Sequence, residues 1–164
     1  MVLALALVGC TASPPDPAEA AAPGLTPPAD SEAADRSTDL DSELWTLVES
    51  HRESRDRPPL ERVGSLDALA AGHSAAMLRS QQLSHDGSAE RFERIRQSLS
   101  SLAAAENVAM ACGHGPRTAQ TLFEGWRESD GHRRNLEGDF DVSGISVASD
   151  GECAFATQLF GKTP

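Results

Sequence analysis

The sequence predicts an α+β fold, four helices layered against about three strands, and three observations carry that expectation. Apolar residues recur at helical spacing in four successive windows between Leu44 and Trp126. From Ile145 to Leu159 they alternate instead, on either side of an Asp150-Gly151 turn signal. The length, 164 residues, suffices for one domain with a proper core and hardly for two.

Leu44, Leu47, Val48 and His51 fall at i, i+3, i+4 and i+7, one face of a first helix that must stop before Pro58-Pro59. Leu66, Leu69, His73 and Met77 repeat the stripe in a second helix. Both histidines lie on apolar faces, where an imidazole bonded within the core is commoner than a ligand. Ser88 reads as the N-cap of a third helix striped by Phe92, Ile95, Leu99 and Leu102. A fourth follows Gly115-Pro116, with Ala119, Leu122, Phe123 and the core residue Trp126 as its stripe. Ile145 and Val147 then alternate with Ser146 and Ala148, and Cys153, Phe155, Thr157 and Leu159 alternate back, which makes an antiparallel pair. "ENVAMA", Glu106 to Ala111, is the remaining strand.

The charge balance excludes whole classes of partner. Fourteen basic residues against 25 acidic ones give a net charge of -11, which opposes phosphate backbones and anionic lipid surfaces alike. Nucleic acid is not an expected partner. No segment reaches the ~20 apolar residues of a spanning helix, so any membrane association must come from a terminal anchor.

"MVLALALVGC" offers one. An apolar run ending in Leu-Val-Gly-Cys resembles the lipobox of bacterial lipoproteins, with residues 1–9 as signal peptide and Cys10 as the acylated residue. The other reading is a stray apolar N-terminus, since no positive segment precedes Val2. Residues 10–40, rich in Ala, Pro, Asp and Glu and poor in large apolar side chains, read as a disordered tether ahead of a domain at 41–164. With Cys10 lipidated, Cys112 and Cys153 are an even pair in an oxidising compartment and read as one disulfide. In a cytosolic chain the same two would be buried free thiols.

"LSHDG", Leu83 to Gly87, places His85 beside an Asp-Gly turn, either as a solvated loop histidine or as a ligand facing a cleft. Read in order with "ESHRESRDRPPL", "LAAGHSAAM", "AENVAMA", "GWRESDGHRRN" and "FATQLF", it resembles the CAP superfamily, the cysteine-rich secretory, antigen 5 and pathogenesis-related domain, in its short bacterial form. The resemblance covers about residues 41 to 161. It implies an α-β-α sandwich, a central antiparallel sheet flanked by helices, with two histidines and two acids in a cleft. Residue by residue, His85 matches the first histidine, Glu106 the first acid and His132 the second histidine. The second acid is missing, because the position three after Trp126 is Ser129, and Glu128 points about 100° away around a helix.

Two imidazoles and a carboxylate suit a divalent cation, zinc first, with Glu106 as third ligand or as the group that orients a ring. Glu106 reads equally as a structural carboxylate. Asn107 and Asn135 are expected to fasten loops, and His114, between glycines, to be exposed. The function so implied is an extracytoplasmic, lipid-anchored binding module, in the outer membrane where the host has one, whose cleft takes a divalent metal or a small apolar ligand. The alternative is a hydrolase in which His85, Glu106 and His132 position a water. Against it, the sequence holds no His-Glu-x-x-His run and no Gly-x-Ser-x-Gly elbow. A third reading, a structural envelope protein, requires a cleft closed by side chains.

Overall fold

The computed structural model describes residues 29–164, with side chains from Asp39 onward. Cys10, the signal-peptide reading of residues 1–9 and the tether as far as residue 28 lie outside the described residues. Among the described residues the fold is α+β, with five helices and one four-stranded sheet. None of the described helices is long and apolar enough to cross a membrane.

Helix α1, Ala29–Ser54, starts well ahead of the apolar stripe that announces it, inside the stretch read as tether. No Pro or Gly follows Pro28 in that run, and Ala, Glu and Arg favour helix without needing a buried face. Its C-terminal half buries Leu44, Val48, His51 and Arg52. The other helices are α2, Gly64–Ser80, α3, Ser88–Leu99, α4, Thr118–Glu128, and α5, Asp130–Leu136. A 3-10 turn at Gly115–Arg117 leads into α4, as the Gly-Pro pair suggested.

Three local readings need correction. Gly87, with φ 74°, is the residue before α3, so Ser88 is its first helical residue and supplies no side-chain cap. Leu102 does not continue the α3 stripe, because Ser100 turns left-handed and leaves Leu102 72% exposed. Ser129 is not on a helix face: it is extended, φ -84° and ψ 121°, at the junction of α4 and α5.

The strands are β1, Glu61–Arg62, β2, Ala103–Cys112, β3, Val142–Ser149, and β4, Cys153–Lys162, in the order β1-β3-β4-β2. The sheet is antiparallel except at β1, which lies parallel to β3, so it is mixed and one strand larger than expected. Alternation sorts its two faces. Ala109, Ile145, Val147, Ala156 and Phe160 pack under α1, α4 and α5, whereas Val108, Val142, Phe155 and Leu159 pack under α2 and α3. The helices therefore flank the sheet in two layers. At Gly144 a Cβ would lie 2.3 Å from the Asp67 nitrogen, which is how α2 comes to rest directly on β3.

The outer edge of β3 beyond Ser143 is covered by carboxylates. Asp67 Oδ1 accepts from the Ile145 N–H at 2.8 Å, and Asp41 Oδ1 accepts from the Val147 N–H at 2.5 Å. Arg62 binds Asp67 at 3.0 Å, holding α2 and this edge together.

At the far edge, Gly113 N–H donates to Glu152 O at 2.8 Å, which makes the next pair inward, Cys112 and Cys153, a non-hydrogen-bonded one. Their Cα atoms are 4.0 Å apart, and a disulfide joins them. The bond links the last residue of β2 to the first of β4. By the same parity, the even-numbered residues of β2 turn their backbone groups away from β4.

Candidate functional site

The site lies where the α2–α3 loop meets the free edge of β2. Helix α2 ends at Ser80 because Gln81 turns left-handed, its N–H bonding back to the Leu78 and Met77 carbonyls. His73, buried on α2, donates through Nε2 to the Ser84 carbonyl at 2.8 Å and so fixes the loop. It is the core histidine its apolar stripe suggested. The Ser88 N–H then donates to His85 O, and the chain enters α3 through Gly87.

His85, so presented, meets Glu106. A carboxylate only accepts, so the 2.8 Å contact with Glu106 Oε1 makes Nδ1 the protonated nitrogen of His85. In the neutral ring that leaves Nε2 with a free lone pair. The imidazole is 51% exposed while the Glu106 side chain is 1% exposed, so the ring stands between solvent and a buried charge. The second carboxylate oxygen accepts from Arg91 Nε at 2.6 Å.

His132 approaches from the other helical layer. Ser129 breaks the helix between α4 and α5, and α5 turns in beside the edge of β2. Two asparagines hold it there. Asn135 donates to the outward Glu106 carbonyl at 3.3 Å and to Asn107 Oδ1 at 2.9 Å, and Asn107 donates to the His132 carbonyl at 3.2 Å. Both act as the loop fasteners expected of them. The rings of His85 and His132 come to 5.9 Å between centroids, tilted by 40°. Burial, and then the neighbouring His85, push the His132 pKa below that of an ordinary histidine, which favours the neutral ring.

The fold therefore brings His85, Glu106 and His132 together from a loop, a strand and a helix. Glu128 has no part in this, its side chain being 75% exposed. Among the described residues no group of three or more His, Cys, Asp or Glu is arranged to hold a metal ion, since Glu106 has both oxygens engaged. The donor set is two imidazoles, one of them oriented by a carboxylate.

Arg91 and Arg52 escaped the sequence reading. Arg91 sits one turn into α3, and nothing in its neighbours points to Glu106, 15 residues on. Arg52 is 1% exposed and donates to the Pro58, Leu136, Gly138 and Phe140 carbonyls. His51 bonds Glu137 at 3.1 Å and packs edge-on against Phe123, a structural role. His114 is half-buried, where exposure was expected.

These features belong to an α-β-α domain, and comparison with known proteins gives the family. Residues 45–160 match the cysteine-rich secretory protein family, CAP, and the chain belongs to it. Among solved structures it is similar to an extracellular protein containing an SCP domain from Bacillus anthracis, at 25% identity and TM-score 0.67, covering 87% of this chain and 45% of that one. It is also similar to a cysteine-rich secretory protein from Staphylococcus aureus, at 19% identity and TM-score 0.61, covering 77% and 39%. An outer surface protein from Borrelia burgdorferi matches at 18% identity and TM-score 0.62, covering 77% and 94%. The chain spans less than half the length of the first two. No curated protein sequence matches.

Proposed function

We propose that this CAP domain is an extracytoplasmic binding module, of the short bacterial form, whose cleft takes a divalent cation through His85 and His132, zinc before others. One observation carries the reading: Glu106 accepts from His85 Nδ1, so in the neutral ring the other nitrogen presents its lone pair beside a second imidazole. A carboxylate behind a histidine is the usual way such a ligand is oriented. Zinc favours imidazole nitrogen, and copper(II) would compete because divalent affinity peaks there. For a small apolar ligand the support is Leu83, 46% exposed two residues before His85.

The hydrolase reading is weaker on the same geometry. Glu106 already accepts two hydrogen bonds, one from a guanidinium, and is not free to take a proton from water. Attachment through an acylated Cys10 is supported by the apolar run ending in Leu-Val-Gly-Cys and by the acidic, proline-rich spacer after it. An outer-surface structural neighbour and a disulfide agree with export.

Calorimetric titration of the metal-free protein with zinc tests the cleft, with wild type set beside His85→Ala and His132→Ala. Binding by wild type and its loss in both variants is the expected result. Equal affinity in all three, or no heat at millimolar zinc, would overturn the reading.

A further inference from the structure

Glu106 is the one buried acid of the cleft, and its partner Arg91 stands in a niche that the Asp86-Gly87 turn provides. Arg91 Nη1 donates to the Asp86 carbonyl at 2.9 Å, and the Arg91 N–H closes the first turn of α3 on the Gly87 carbonyl at 3.1 Å. A Cβ on Gly87 would stand 3.2 Å from the same Nη1, and φ 74° there already disfavours any other residue. The guanidinium thus lies over the bare Cα of Gly87. It is 12% exposed, with Nε directed at Glu106 Oε2. The turn that presents His85 also seats the arginine that grips its carboxylate.

We infer that Arg91 is a positioning residue: seated over Gly87, it fixes Glu106 as the acceptor for His85 and withholds that carboxylate from any cation in the cleft. An arginine is never deprotonated in a protein, so its side of the pair stays charged. The cleft then offers two neutral nitrogens and no free anionic oxygen, which selects borderline ions such as zinc over hard ions such as magnesium or manganese. Ser129, in place of a second acid, leaves that selection intact. The zinc arm of this inference rests on the reading of the cleft as a cation site; the orientation of His85 does not.

Two measurements on the full chain test it. In metal-free protein, long-range nitrogen NMR of the His85 ring reports which nitrogen carries the proton. Wild type should show Nδ1–H alone, and Arg91→Met and Gly87→Ala should each give a mixture as Glu106 loosens. Zinc and manganese titrations of the same three proteins form the second arm. Releasing Glu106 from Arg91 should change zinc affinity about tenfold, the scale on which an outer-shell partner acts, and admit manganese through the freed oxygen, a gain that misfolding cannot imitate. A mixed His85 tautomer in wild type, or a ring and zinc affinity unchanged in both variants, would overturn the role of Arg91. If no protein binds zinc while the tautomer shift appears, the positioning role stands and the cation reading fails.

Discussion

Arg52 Nη1 donates to the Leu136 carbonyl at 2.7 Å, tying the end of α1 to the last residue of α5. Further bonds from the same guanidinium reach Pro58, Gly138 and Phe140, so one side chain satisfies four carbonyls on two loops. Replacing it leaves those acceptors buried without donors. Arg52→Met should therefore cost about 3 kcal/mol or more, and Arg52→Lys, with a point charge in place of the fork, should recover only part. Urea unfolding measures both. A loss under about 1 kcal/mol for Arg52→Met would mean that water replaces the guanidinium at little cost.

The Cys112–Cys153 bond closes a loop over a sequence separation of 41. Chain-entropy arithmetic for that length gives about 4 kcal/mol of stabilisation. Intact mass with and without reductant should differ by the two hydrogens of one disulfide, and the Cys112→Ser, Cys153→Ser double variant should unfold at clearly lower urea. Two alkylatable thiols in unreduced protein would contradict the linkage.

Two groups give the domain opposing pH dependences. Burial raises the Asp41 pKa from 3.8 to about 6, although its bond from Val147 opposes that shift. The folded state therefore holds this proton more tightly than the unfolded chain, and stability from this group rises as pH falls through about 6 towards 3.8. The His132 pKa is lowered, so the unfolded chain binds its proton first, and stability from this group falls as pH drops below 6.5. Asp41→Asn should remove the rise and His132→Gln the fall. Thermal unfolding across that range reads both, and a pair of variants with the parent's pH profile would show that neither group governs it.

Cys10→Ala should move the protein from the membrane fraction to the soluble fraction of its own envelope. If the variant still sediments with membranes as the parent does, the anchor lies elsewhere.

How much was legible in the chain follows from what each element asks of it. Helices α2 and α4 were readable because each buries one face, and burial imposes a period on the apolar residues, whereas the β3–β4 hairpin, buried on both faces, was readable by its alternation about the Asp150-Gly151 turn. Helix α5 has a single buried residue, Leu136, and β1 has two exposed ones, so neither leaves a pattern. His85, Glu106 and His132 were grouped only by family resemblance, for no local spacing links a loop, a strand and a short helix. Arg52 and Arg91 could not be told from solvated arginines. Their burial is decided by carbonyls and a carboxylate that the fold brings from elsewhere.

Asp67 and Asp41 have a consequence for many copies at once. A bare strand edge offers a row of donors and acceptors on which another chain can grow. Here the Ile145 and Val147 donors are already taken by side chains of the same molecule. Where copies are crowded together, this flank offers no free donor at Ile145 or Val147 to start a shared sheet.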